Sequence, residues 1–127
     1  MSISLSKYEV FISAREKDYF DVLGGHGGEL ETNVMMHIHP ELLLHLEEAG
    51  KAVGRGFKIK GLKDGWVTSQ RQWTKVTSDT GVGDPALSTV EKGKRFLEMI
   101  TREISEFLVE MENADLDDLY EKEESDS

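Results

Sequence analysis

The stretch from Asp84 to Met111 most narrows what this chain can fold into. Asp84 is a good helix N-cap, and Pro85 suits the first helical position. Val90, Leu97, Ile100, Ile104, Leu108 and Met111 then recur at three-, four- and seven-residue steps, which predicts one long amphipathic helix. Gly93 falls on its inward side. A missing side chain there implies close packing, so another element is expected directly against this helix.

The obvious partner lies upstream. Glu29 to Ile38 reads as a helix, with Leu30, Val34 and Ile38 four apart on one face. Pro40 ends or kinks it. Glu41 to Glu48 continues as a leucine-rich helical turn or two, closed by Ala49-Gly50. Other pieces lean toward strand. Tyr8 to Ala14 is rich in aromatic and β-branched residues, and Tyr19 to Leu23 forms a second such run after a polar turn. Phe57–Lys60, Trp66–Thr68 and Trp73–Thr77 are shorter β-leaning segments. The expected class is α/β, with ligand chemistry where a strand runs into a loop that opens a helix.

The 127 residues allow one domain. Residues 1–111 form the folded part on this reading, and residues 112–127 form an acidic tail. That tail holds eight acids against one lysine and supplies most of the net charge of −10. It is expected to be disordered. Direct nucleic-acid binding is disfavoured without a basic footprint. No apolar run approaches the roughly 18 residues of a membrane span, and the first residues lack a signal-peptide pattern, so a cytoplasmic protein is expected. There is no cysteine, which excludes disulfides and thiolate metal sites.

Candidate chemistry concentrates at Gly24-Gly25-His26-Gly27-Gly28-Glu29-Leu30-Glu31. Paired glycines remove side-chain cover and should present His26 on an open loop. The imidazole suits proton transfer. Glu29 and Glu31 favour the positive end of a helix dipole; being two apart, at most one can easily face His26. His37 and His39 are also two apart in a helical pattern, so their rings diverge rather than converge on one ion. His45 reads as a surface or packing residue. The glycine loop before a helix could also take an anion, although it matches no established phosphate motif. Trp66 and Trp73 could line a pocket.

Three ordered motifs then combine: Gly25-His26-Gly27-Gly28-Glu29-Leu30-Glu31-Thr32-Asn33; Pro40-Glu41-Leu42; and Gly81-Val82-Gly83-Asp84-Pro85 with Glu91-Lys92-Gly93. Together they resemble the second half of the creatininase (creatinine amidohydrolase) family over residues 19–111. The resemblance implies an incomplete three-layer α/β/α fold related to the Rossmann type, ending in a long helix. It implies hydrolysis of amide C–N bonds in small molecules, with His26 as the general acid/base. Glu29 and Glu31 would orient it or support the metal shell, and Asp21, Gly27 and Gly28 would contact substrate.

The resemblance also implies a divalent metal, zinc, manganese or iron. The family's metal-ligand motifs, a Glu-x-His-Leu-Pro segment and an Asn-Gly-His, have no counterpart in these residues. The main ligands are therefore expected outside this chain. A homo-oligomer or a complementary N-terminal half chain is the expected partner. The alternative is a non-catalytic interaction or structural remnant of the fold; a third reading is an anion-binding module built on the glycine loop.

Overall fold

A computed structural model describes residues 8–50 and 53–122. Five α-helices follow in chain order: α1 (Tyr8–Glu16), α2 (Glu29–Ile38), α3 (Lys60–Lys63), α4 (Trp73–Val76) and α5 (Val90–Asn113). Single 3₁₀ turns cover Pro40–Leu42 and Leu46–Glu48. α2 packs along α5, and this pair organises everything else.

Gly93 shows how close that packing is. A Cβ on Gly93 would sit 1.9 Å from the Asn33 carbonyl oxygen of α2, so only glycine lets the two backbones meet. Phe96 and Met99, one and two turns further along α5, carry the core with Phe20. Ile12, Tyr19, Leu30, Val34 and Ile100 pack around them. Phe96 receives Phe20 at 4.8 Å and the edge of Tyr19 at 5.4 Å between ring centroids. The inward stripe of α5 is thus Gly93, Phe96 and Met99. Val90, Ile104 and Leu108 of the expected stripe are exposed instead.

Helix α2 occupies the bounds expected of it. The strand expectations are corrected. Tyr8–Ala14 belongs to α1, Trp73–Val76 is one helical turn, and Tyr19–Leu23, Phe57–Ile59 and Trp66–Thr68 are turns, bends or irregular chain. β preference reflects fit to a paired, half-buried surface, and an isolated extended segment leaves its amide and carbonyl groups unpaired. A helix satisfies them internally. In α1 it also turns Ile12 onto the core and lets Arg15 reach Glu103 of α5, at 3.1 Å. The described residues contain one strand-like contact, an isolated antiparallel bridge between His26 and Val82. The expected α/β/α layering is not formed by them.

The start of α5 also differs. Asp84 does not cap it: Asp84 Oδ1 accepts from the Ala86 amide at 2.9 Å, and the Ser88 amide donates to Pro85 O, closing a separate turn. The helix begins five residues later, where the Thr89 hydroxyl accepts from the Lys92 amide at 3.2 Å. At the far end, residues 112 and 113 of the expected tail are the last of α5, residues 114–122 are irregular, and residues 123–127 lie outside the described residues. So do residues 1–7, where the absence of a signal peptide was read. No helix among the described residues is long and apolar enough to cross a membrane.

Candidate functional site

Two loops meet at the N-terminal ends of α2 and α5. Residues 24–28 lie against residues 81–83, with Gly25 and His26 amides donating to Val82 O at 2.6 and 3.0 Å, and the Val82 amide returning to His26 O at 2.7 Å. Gly83 makes the approach possible: its φ is 154°, and a Cβ there would fall 2.9 Å from the Cα atoms of both Gly24 and Gly28. The backbone of His26 is therefore pinned on both sides while its side chain stays exposed.

The imidazole meets the Trp73 ring edge-on, at 5.3 Å between centroids and 88°. A cleft of about 200 Å³ opens beside it, lined by His26, Gly27, Ala49, Gly50, Asp79, Thr80, Gly81 and Pro85. Asp79 Oδ1 accepts from the Thr77 hydroxyl at 3.0 Å and from the Gly81 amide at 3.3 Å. Thr80 adopts a φ of 72°, a left-handed conformation that costs a non-glycine residue on the order of 1 kcal/mol. Strained backbone that persists on a cleft wall is held there by its surroundings. Neither Asp79 nor Thr80 carried a sequence signal, because their roles come from turn geometry and not from spacing.

Beneath the loops runs a buried polar seam. Glu29 has no exposed surface; its Oε2 accepts from the Val22 amide at 2.7 Å and its Oε1 from Lys92 Nζ at 2.7 Å. Lys92 also reaches Asp21 Oδ2 at 2.6 Å and Leu87 O at 2.8 Å. These carboxylates hold the ammonium pKa above its ordinary value, the Asp21 bond first and the Glu29 bond second. Asn33, equally buried, accepts the Thr89 amide on Oδ1 at 2.5 Å, while its Nδ2 has no partner among the described residues.

The expected site residues therefore separate. His26 and Gly27 line the cleft. Gly28 is buried beneath Gly24 and Gly83, too covered to contact a substrate. Glu29 does not orient His26, since both of its oxygens go to other partners and tie α2 to α5. Glu31 is exposed and near Glu16, whose carboxyl pKa is raised by burial and then by the Glu31 charge. Asp21 is largely exposed and joined to Lys92. His37 lies within α2, and His39 caps it, its Nδ1 2.9 Å from Glu41 Oε1. Lys92 is the residue that sequence reasoning missed; the Glu91-Lys92-Gly93 motif was its only trace. Among the described residues no three His, Asp or Glu side chains converge as a metal site, so the donors present do not fit a bound ion.

The comparisons with known proteins agree with one another. The family model described as creatinine amidohydrolase (Creatininase) matches residues 5–108. Such a match defines the class: the chain belongs to the creatininase family. Among solved structures, one named "Putative creatinine amidohydrolase" from Bacteroides fragilis NCTC 9343 is 41% identical, with a TM-score of 0.72. The match covers 84% of this chain and 41% of that one, so the present chain spans about two-fifths of its solved relative. The creatininase-like fold expected from the motifs is thereby supported. No protein of curated function matches.

Proposed function

We propose that this chain supplies the proton-handling part of an enzyme that hydrolyses the C–N bond of a small-molecule amide. The carrying observation is His26: its backbone is fixed through both its amide and its carbonyl, and its ring, set edge-on to Trp73, is exposed at a cleft walled by the Asp79–Gly81 turn. In amide hydrolysis water adds to the carbonyl carbon, the C–N bond breaks, and the departing nitrogen takes up a proton. An exposed imidazole on a rigid loop can deliver that proton with little reorganisation. Gly27 leaves the cleft wall bare for the substrate, and Asp21, extended on Lys92, offers a carboxylate nearby in the chain.

Creatininase-family members generally use divalent metal. The donors among the described residues do not fit one, so on this reading the ligands come from outside this chain, in a longer enzyme or a complementary chain. Expression with a chain carrying the Glu-x-His-Leu-Pro and Asn-Gly-His motifs tests the proposal, with creatinine as the probe and ring opening as the readout. Metal analysis should find stoichiometric metal in the pair and not in this chain alone. His26→Ala should lower the rate by about 10²–10⁴, the usual range for a general acid. An unchanged rate would remove His26 from the reaction. A second reading, a non-catalytic interaction subunit, is favoured by apolar side chains left open at Leu44, Trp66 and Tyr120, which are 80%, 76% and 90% exposed. Assembly with a partner but no hydrolysis would select it.

A further inference from the structure

A second cleft, of about 350 Å³, lies outside the His26 site and shares no lining residue with it. Arg55, Gly56 and Phe57 form one wall; Gln70, Arg71, Gln72 and Lys75 form the other, with the buried Val76 between them. The Arg55 amide donates to Val76 O at 2.7 Å, which fixes the two walls together. Three cationic side chains and two amide side chains thus surround one space, and no carboxylate lines it.

This composition stands out in a chain with 25 acids against 15 basic residues. Among the other described cations, Arg15, Lys60 and Lys92 pair with carboxylates, several make no ion pair, and Arg102 lines a hollow it shares with Glu106 and Glu110. Arg55, Arg71 and Lys75 make no ion pair among the described residues, and the Arg71 guanidinium lies over the Phe57 ring, 6.0 Å from its centroid. Like charges gathered around one cleft repel, and an anion of more than one negative charge relieves that repulsion. Guanidinium groups match the tetrahedral oxygens of phosphate through paired N–H donors. The volume is in the usual range for small-molecule sites.

We infer that this cleft binds a phosphate group, either the free ion or the phosphate of a small organic molecule whose apolar part lies on Phe57. The site is independent of the proposed amide chemistry. The neighbouring Trp73 belongs to the same helical turn as Lys75 and touches His26, so an occupied cleft sits one residue contact away from the imidazole.

Calorimetric titration of the full chain with inorganic phosphate, at constant ionic strength set by chloride, tests the inference. Saturable one-to-one binding is expected. Arg55→Gln and Arg71→Gln should each weaken it by about tenfold, as loss of a charge-assisted contact does. Both residues are exposed, so an unchanged circular dichroism spectrum should show that the variants fold. His26→Ala should bind phosphate as the unaltered chain does. Phenyl phosphate binding more tightly than phosphate, with the gain lost in Phe57→Ala, would assign an organic phosphate; equal binding would assign the free ion. Absence of saturable binding, retention of binding in the Arg55→Gln/Arg71→Gln double variant, or tighter binding of succinate than of phosphate would each overturn it.

Discussion

The seam between α2 and α5 and the loop that carries His26 are neighbours in the chain, yet they are built in opposite ways. In the seam every oxygen of Glu29 is bonded, Lys92 has three oxygen partners, and Gly93 leaves no room for a methyl group. On the loop the backbone is equally well held, but the imidazole is left to solvent and to one aromatic edge. The difference teaches that the conspicuous motif serves two purposes. His26 faces outward, its backbone held by Val82, and Glu29, three residues on, faces inward to tie α2 to α5.

Breaking the seam should give the largest effects. Lys92→Met strands the Glu29 charge in a dry site, which by analogy with other broken buried pairs costs about 3–5 kcal/mol, read as a lowered urea midpoint. Adding Glu29→Gln in the same chain should recover much of that loss. Gly93→Ala comes next: the helices must separate to admit the methyl group, at about 1–3 kcal/mol and with a visible drop in melting temperature. If either variant melts like the unaltered chain, the seam is not what joins the helices.

The pH dependence sharpens the same contrast. The folded-state pKa of Lys92 is raised, so its stabilising contribution is complete below the unfolded value of about 10.4 and fades as pH rises through the higher folded value. The stability difference between the unaltered chain and Lys92→Met should therefore be constant near neutrality and shrink in strong alkali, as followed by melting temperature against pH. The smallest effects belong to the exposed side. Glu31→Gln relieves the charge next to Glu16 but removes a favourable one from the first turn of α2, so the two effects should nearly cancel and leave a change of a few tenths of a kcal/mol, about the scale of surface charges. His26→Ala should shift stability by no more than about 0.5 kcal/mol, in contrast to its proposed effect on catalysis. A large loss of stability in His26→Ala would erase the distinction between the two regions.

How much of this was legible depended on the range of the interaction. Helix α2 could be read because Leu30 and Val34 repeat at helical spacing after a glycine run, and both do pack on the core. Gly93 could be read as a point of close approach because glycine inside a strong helix has few other reasons. The start of α5 was misplaced because Asp84-Pro85 is equally good as a turn; what favours the later start is Asn33, 56 residues before Thr89, which takes the Thr89 amide. The strands were misread because aromatic and β-branched runs record a preference for partially buried surroundings, not the presence of a partner strand. His26 was legible as exposed because glycines surround it. Its cleft was not, since Asp79 and Thr80 enter through a turn with no motif of its own.

Lys92 has a consequence for the order in which the molecule can assemble. Its bonds to Asp21 and Glu29 span 71 and 63 residues of chain, and the Val82 clasp on His26 also closes over a long loop. Closing such loops carries an entropic cost before any contact repays it, and contacts of this sequence separation slow folding. During synthesis, then, the histidine loop emerges before α5 and cannot be fixed until the first turns of that helix have followed it. The segment that does the proposed chemistry is made before the contacts that give it its shape.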